Sequence, residues 1–222
     1  ANELDGLKGT INVIGAQNVI IDNLTISGAT DDGSTIGESG KGVAVRFNAS
    51  VLIQNSTITG NYSGVVSNSG GVAALSNNNI TDNIEYGIVA SDAGIIRLIG
   101  DNTIDQSTQT SVAAVGAYRS GTITFLGANS VTGSNTALDI YYGSQLRAYY
   151  GLLTVNGNSG VGYDAQINLR DANHIGNITV YTKGSVRLQN RTNQTTDSVT
   201  VTGNISVNDF SVFNANGNTT VN

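Results

Sequence analysis

The sequence has no cysteine, proline, methionine or tryptophan, and a single histidine in 222 residues. Without cysteine there can be no disulfide and no thiolate metal site. That leaves the compartment open, because a robust extracellular fold can do without bridges. Without methionine there is no initiator, and the opening "ANELDGLKGT" has no signal-peptide core, so a processed product or a piece of a larger chain is expected. Charge is scarce too. Only 12% of residues are charged, against about 25% in ordinary soluble domains. The 10 Lys and Arg are scattered and the net charge is −6, which excludes a basic footprint for nucleic acid and disfavours an anionic membrane surface. No apolar run is long enough to span a bilayer, so no membrane insertion is expected.

What is present is β-rich and repetitive. A hydrophobic share of 39%, rich in Val and Ile, together with 28 glycines, argues for a folded β protein rather than a disordered one. Short triplets recur around one apolar centre: Thr25-Ile26-Ser27, Thr57-Ile58-Thr59, Asn79-Ile80-Thr81, Thr103-Ile104-Asp105, Ser130-Val131-Thr132 and Thr154-Val155-Asn156. The centres are 32, 22, 24, 27 and 24 residues apart, so the unit has a length in the low-to-middle twenties with loop insertions. The longest step holds the insertion "ATDDGSTIGESGKG".

Each unit has two further parts. An apolar pair precedes the triplet: Ile20-Ile21, Leu52-Ile53, Ala74-Leu75, Leu98-Ile99, Phe125-Leu126 and Tyr149-Tyr150. A second β run follows it: "GVAVRF", "GVVS", "GIVAS", "VAAV", "LDIYY" and "QINLR". Asn, Gly, Ser and Asp lie between, as tight corners require. Period 2 dominates and no helical period appears. Short strands at a steady period, without Asn-Gly hairpins, predict coils stacked in parallel. The expected fold is all-β, a right-handed single-stranded parallel β-helix, with handedness following the general preference of parallel crossovers. Residues 1–170 are its coils, and residues 171–222 are further coils or a small terminal β element of the same solenoid. Neither end shows an amphipathic capping helix.

The segment "ASVLIQNSTITGNYSGVVSNSGGVAALSNNNITDNIEYGIVAS" (49–91) resembles the parallel β-helix repeat of the pectin-lyase-like superfamily, and the likeness runs over roughly residues 10–170. Such repeats occur in polysaccharide lyases, uronan epimerases, phage tailspikes and bacterial surface proteins. The motif encodes coil geometry, so it speaks to fold more than to activity. The apolar pairs would leave both faces of a strand dry. One column fills the interior. The other either turns inward at a bulge or packs on another subunit, and resemblance to tailspikes implies a homotrimer joined through that outer apolar ladder.

Several groups could carry chemistry. The triplets would display columns of hydroxyls and amides, either an array for ice or glycan or a solvated face; the interruptions at Asn79, Asp105 and Asn156 favour solvent. In the insertion, Asp31, Asp32 and Glu38 are hard oxygen ligands suited to Ca²⁺, with Lys41 and Arg46 near. A loop so rich in Asp and Gly is equally what a solvated turn contains, and its spacing matches no EF-hand. In lyases that resemble this fold, a cation neutralises a uronate while a base removes the adjacent proton. Alternatively a pair of acids hydrolyses a glycosidic bond. Asp139 and Asp32 are the catalytic candidates. The Asp-Pro-His-Glu motif of alginate epimerases and the Gly-His-Gly and Trp-Ile-Asp-His motifs of pectinolytic relatives are missing.

A later cluster offers carbohydrate binding. Tyr118, Tyr141, Tyr142, Tyr149, Tyr150 and Tyr163 share a region with Arg119, Asp139, Arg147, Asp164 and Arg170. Tyrosine faces stack on sugar rings while carboxylates and guanidiniums bond sugar hydroxyls. In "LDIYY", Asp139 and Tyr141 should face one way and Ile140 the other. His174, without a partner in sequence, is expected in a loop. The leading expectation is a rigid host-surface and glycan recognition module of a phage tailspike or similar virion appendage, extracellular and bound to a cell-surface polysaccharide. A polysaccharide-cleaving or epimerising enzyme and a bacterial surface β-helix are the alternatives.

Overall fold

The computed structural model describes residues 9–31, 39–109, 113–189, 198–216 and 219–222. These residues form strands joined by turns, with no helix among them. Every strand pair is parallel, and each strand pairs with its counterpart about one coil away. The expected parallel β-helix is what the chain adopts.

Each coil contributes to three faces. Face A begins with Gly9–Ile14, Lys41–Arg46, Ser63–Ser67, Tyr86–Ser91 and Ala113–Tyr118. Face B is a nine-stranded sheet running from Val19–Asp22 through Ser50–Gln54, Val72–Ser76, Ile95–Leu98, Thr122–Phe125, Gln145–Ala148, Gln166–Leu169 and Ser185–Gln189 to Val212–Asn216. Face C carries the triplets, starting at Thr25–Ser27 and Thr57–Thr59. Two long strands, Asn129–Tyr141 and Leu153–Gly162, bend from face C into face A and join these faces in one sheet. On face B the paired residues Val51, Ala73, Ile96, Ile123, Leu146, Ile167, Val186 and Phe213 are 22, 23, 27, 23, 21, 19 and 27 residues apart.

All six triplets fall in register. Their centres are buried and their flanks point out, where Thr81 Oγ1 lies 3.4 Å from Thr59 Oγ1. The strands after residue 171 continue the same three faces, pairing with the coil before them. One run sits elsewhere than expected. "QINLR" lies on face B, and the matching face A segment of its coil is Ser159–Gly162. That coil is the shortest, which is why a repeat of constant length misplaces it.

The apolar pairs hold for three coils and then slip. Ile20 pairs with Leu52 and Leu52 with Ala74, but the next residues in that outward column are Arg97, Thr124, Arg147, Asn168 and Arg187. Leu98, Phe125 and Ala148 belong to the inward column with Ile53 and Leu75. The outer ladder is therefore apolar only at Ile20, Leu52 and Ala74. Beyond them it is polar and basic.

The corners are secured by buried amides. Between faces B and C, Asn102 Oδ1 accepts from both the backbone N–H and the Nδ2 of Asn78, at 3.0 and 3.1 Å. Asn129 Oδ1 does the same for Asn102, at 3.1 and 3.0 Å. Nδ2 of Asn102 also reaches back to Leu75 O at 3.2 Å, so each amide ties three coils. A second ladder, Asn61, Asn83 and Gln106, lines the corner between faces C and A. Backbone N–H groups that a turn would leave unpaired are satisfied in this way. Removing a rung strands its neighbours' donors. Asn102→Ala is expected to destabilise by about 2–3 kcal/mol, the cost of leaving buried polar groups unpaired. Asn79→Ser, on the exposed side of a triplet, should stay within about 0.5 kcal/mol. Urea denaturation of both variants checks this.

Candidate functional site

The outer side of face A carries the candidate site. Its central outward column runs Ala44, Val66, Val89, Gly116, Asp139, Gly160 and Thr179. The turn between faces A and B forms its rim. In successive coils the first turn position is Asp92, Arg119, Tyr142 and Tyr163, each at a positive φ. Arg119 grips Asp92 through Nε and Nη2, at 2.6 and 3.0 Å, and the Arg119 contact holds the Asp92 carboxyl below its ordinary range. Tyr142 and Tyr163 stack at 4.9 Å with 18° between their planes, close to the spacing of neighbouring strands.

Inside that rim runs a ladder of rings. Tyr118 and Tyr141 stack at 6.2 Å and 7°, Tyr141 lies 5.5 Å from Tyr181, and Tyr86 meets Tyr118 edge-on at 5.9 Å. Glycine makes this possible. A Cβ on Gly116 would stand 2.8 Å from the Tyr118 ring, and one on Gly160 would stand 2.7 Å from the Tyr141 hydroxyl. Asp139 sits between those two glycines. Tyr118 OH donates to its Oδ2 at 2.5 Å, and Tyr86 OH lies 2.9 Å from Tyr118 OH. Burial raises the Asp139 carboxyl, against the lowering effect of the Tyr118 hydrogen bond. Burial, reinforced by the Asp139 charge, pushes the Tyr118 phenol far up. Mainly burial lifts the Tyr86 phenol to about 12.

A groove of about 500 Å³ opens alongside, floored by Val66 and Val89 and edged by Tyr86, Tyr118, Arg119 and Tyr142. At its other margin stand Lys41, Ser63 and Glu85. Ser63 Oγ donates to Glu85 at 3.1 Å, and Lys41 Nζ donates to Ser39 O at 3.1 Å. Burial raises the Glu85 carboxyl and lowers the Lys41 ammonium, with Glu85 and Asp31 working against the latter shift. The groove thus offers apolar rings, half-buried carboxyls and cations within one surface, with its floor on sheet and its rim on turns.

Of the expected carbohydrate-binding residues, Tyr141, Tyr142, Tyr163, Asp139 and Arg119 come together here. Tyr149, Tyr150 and Arg147 do not. Tyr149 stacks under the Arg170 guanidinium at 4.6 Å, Tyr150 is exposed beside it in the chain, and Arg147 stands on face B bonded to Gln145. Asp31 accepts from Ser39, and its charge acts on Lys41 at the groove's margin. Asp32 and Glu38 lie outside the described residues. Among the described residues no group of three or more His, Cys, Asp or Glu gathers to hold a metal. Tyr86, Tyr181, Glu85 and Asp92 were not anticipated. Aligning the second β run of each coil, rather than the triplets alone, is the signal that finds Tyr86 and Tyr181.

His174 is not in a loop. It occupies the inward column of face C between Val155 and Val201. It is fully buried there, with Nε2 2.7 Å from Ser159 Oγ across the interior. Burial holds the ring's pKa down at about 4.

A family model for the right-handed β-helix region matches residues 2–129. No curated protein and no solved structure matches the chain.

Because the His174 pKa is depressed on folding, the unfolded chain takes up a proton between about pH 6.5 and 4 that the folded chain refuses. This share of stability, about 3 kcal/mol, is complete above pH 6.5 and lost as pH falls toward 4. Other acids titrate nearby, so the test is a difference. The advantage of wild type over His174→Val/Ser159→Ala should shrink by about that amount from pH 7 to 4, read by denaturant unfolding.

Proposed function

The chain belongs to the right-handed β-helix family, and on that scaffold we propose that face A is a glycan-binding surface. The observation that carries this reading is the tyrosine ladder with Asp139 at its centre, lying beside a groove with paired Arg119 and Asp92 on its rim. Ring faces suit the C–H faces of sugars, and the flanking carboxyl, guanidinium and hydroxyl groups suit their hydroxyls. Tyrosine loses little conformational freedom on binding, and rings already stacked lose less. We place such a module outside the cell, as part of a phage tailspike or a related surface β-helix that recognises a cell-surface polysaccharide.

A second reading has its own support. Glu85 and Asp139 are two carboxyls held protonated more readily than usual on the same face, the feature expected of an acid in glycoside cleavage. The two readings separate in one set of assays. Affinity for capsular, lipopolysaccharide and uronan glycans should fall by up to about tenfold in Tyr141→Ala and in Tyr142→Ala, roughly the worth of an aromatic stacking contact. Affinity retained within about twofold in both would remove the groove reading. New reducing ends or unsaturated products, abolished by Glu85→Gln and by Asp139→Asn while binding persists, would establish cleavage.

A further inference from the structure

Face B carries a second surface, separate from the tyrosine groove. From the fourth coil onward its central outward column reads Arg97, Thr124, Arg147, Asn168 and Arg187. The five strands that hold them, Ile95–Leu98, Thr122–Phe125, Gln145–Ala148, Gln166–Leu169 and Ser185–Gln189, contain no Asp or Glu. Three of the chain's 10 basic residues thus stand in one file on an otherwise acidic protein. Among the described residues, none of the three guanidiniums pairs with a carboxylate. Arg147 bonds the neutral Gln145, while the Arg119–Asp92 pair sits on the rim of face A. Arg97 and Arg187 are exposed and Arg147 is half-buried. In the next column Arg170 lies over the Tyr149 ring.

We infer that this file binds a linear anionic polysaccharide bearing one acidic group per disaccharide, laid along the solenoid axis. The reason is spacing. The arginines occupy alternate coils, so successive guanidiniums are two strand spacings apart, roughly 9.6 Å. That is close to the repeat of an extended disaccharide. The rungs between them, Thr124 and Asn168, are uncharged hydrogen-bonding groups, suited to the hydroxyls of the intervening neutral sugar. Guanidiniums match carboxylates and sulfates in a two-pronged geometry. A nucleic acid fits less well. Its charge is denser, and single-strand platforms interleave aromatic rings between the cations, where this file has Thr and Asn.

The test uses the whole chain with four probes: a hyaluronan oligosaccharide (a carboxylate on every second sugar), an oligogalacturonate (one on every sugar), a neutral cello-oligosaccharide and a thymidine oligonucleotide. Hyaluronan should bind tightest, and its affinity should fall with salt. It should drop about tenfold in Arg97→Gln/Arg147→Gln/Arg187→Gln, as expected from the loss of three ion pairs at the surface. The same loss should appear when the three changes are made in a Tyr141→Ala background, which separates this file from the face A groove. Since the three side chains point outward, the triple variant should melt with wild type, and Arg147→Gln alone should show a smaller loss in the same direction. Equal binding by the triple variant, tighter binding of the oligogalacturonate or the oligonucleotide, or no hyaluronan binding at low salt would each overturn the inference.

Discussion

Everything in this molecule depends on parallel register. A coil is held by the coil below it, one strand spacing away, and the paired strand residues among those described therefore stack on counterparts of the preceding turn. The interior follows from that rule. Ile26, Ile58, Ile80 and Ile104 stand in one file, and where Phe125 takes extra room, the next rung is Ala148. The corners follow as well, since only a side chain that both donates and accepts can pass a hydrogen bond from coil to coil. Asn102 does this at the B–C corner and Asn83 at the C–A corner. Even the exception obeys the rule. His174 enters an aliphatic file, and Ser159 stands opposite to meet its nitrogen.

The fold was legible because burial constrains the inward positions so strongly. A small apolar centre with polar flanks can recur every twenty-odd residues for only a few physical reasons, and all six triplets proved to be rungs of one face. Outward positions have no such constraint. The apolar pairs looked like a continuous ladder, yet Leu98 aligned with Leu75 rather than Ala74, which left Arg97 outside. The 19-residue coil hid its face A strand for a related reason: Ser159 stands where Val115 and Leu138 marked the earlier ones.

The candidate site shows the same division. "LDIYY" was sufficient to place Asp139 and Tyr141 on one side, because alternation in a strand needs no partner to be read. Their neighbours came from other coils. Tyr86, Tyr118 and Tyr181 are far apart in sequence and meet only through register. Tyr149 and Tyr150, close to Tyr141 in the chain, lie past the turn that carries the chain to face B. Proximity in sequence was a poor guide precisely where the chain turns a corner, and the rings gathered on face A do so over Gly116 and Gly160, whose missing side chains leave the necessary room.

The most direct test follows the tyrosines themselves. The chain has nine, and six of them belong to the face A ladder and rim while Tyr62, Tyr149 and Tyr150 do not. With ring-labelled tyrosine, NMR titration with a polysaccharide whose binding does not depend on Arg97, Arg147 and Arg187 should move the signals of Tyr86, Tyr118, Tyr141, Tyr142, Tyr163 and Tyr181 together. Shifts confined to Tyr62, Tyr149 and Tyr150, or none at saturation, would contradict the account.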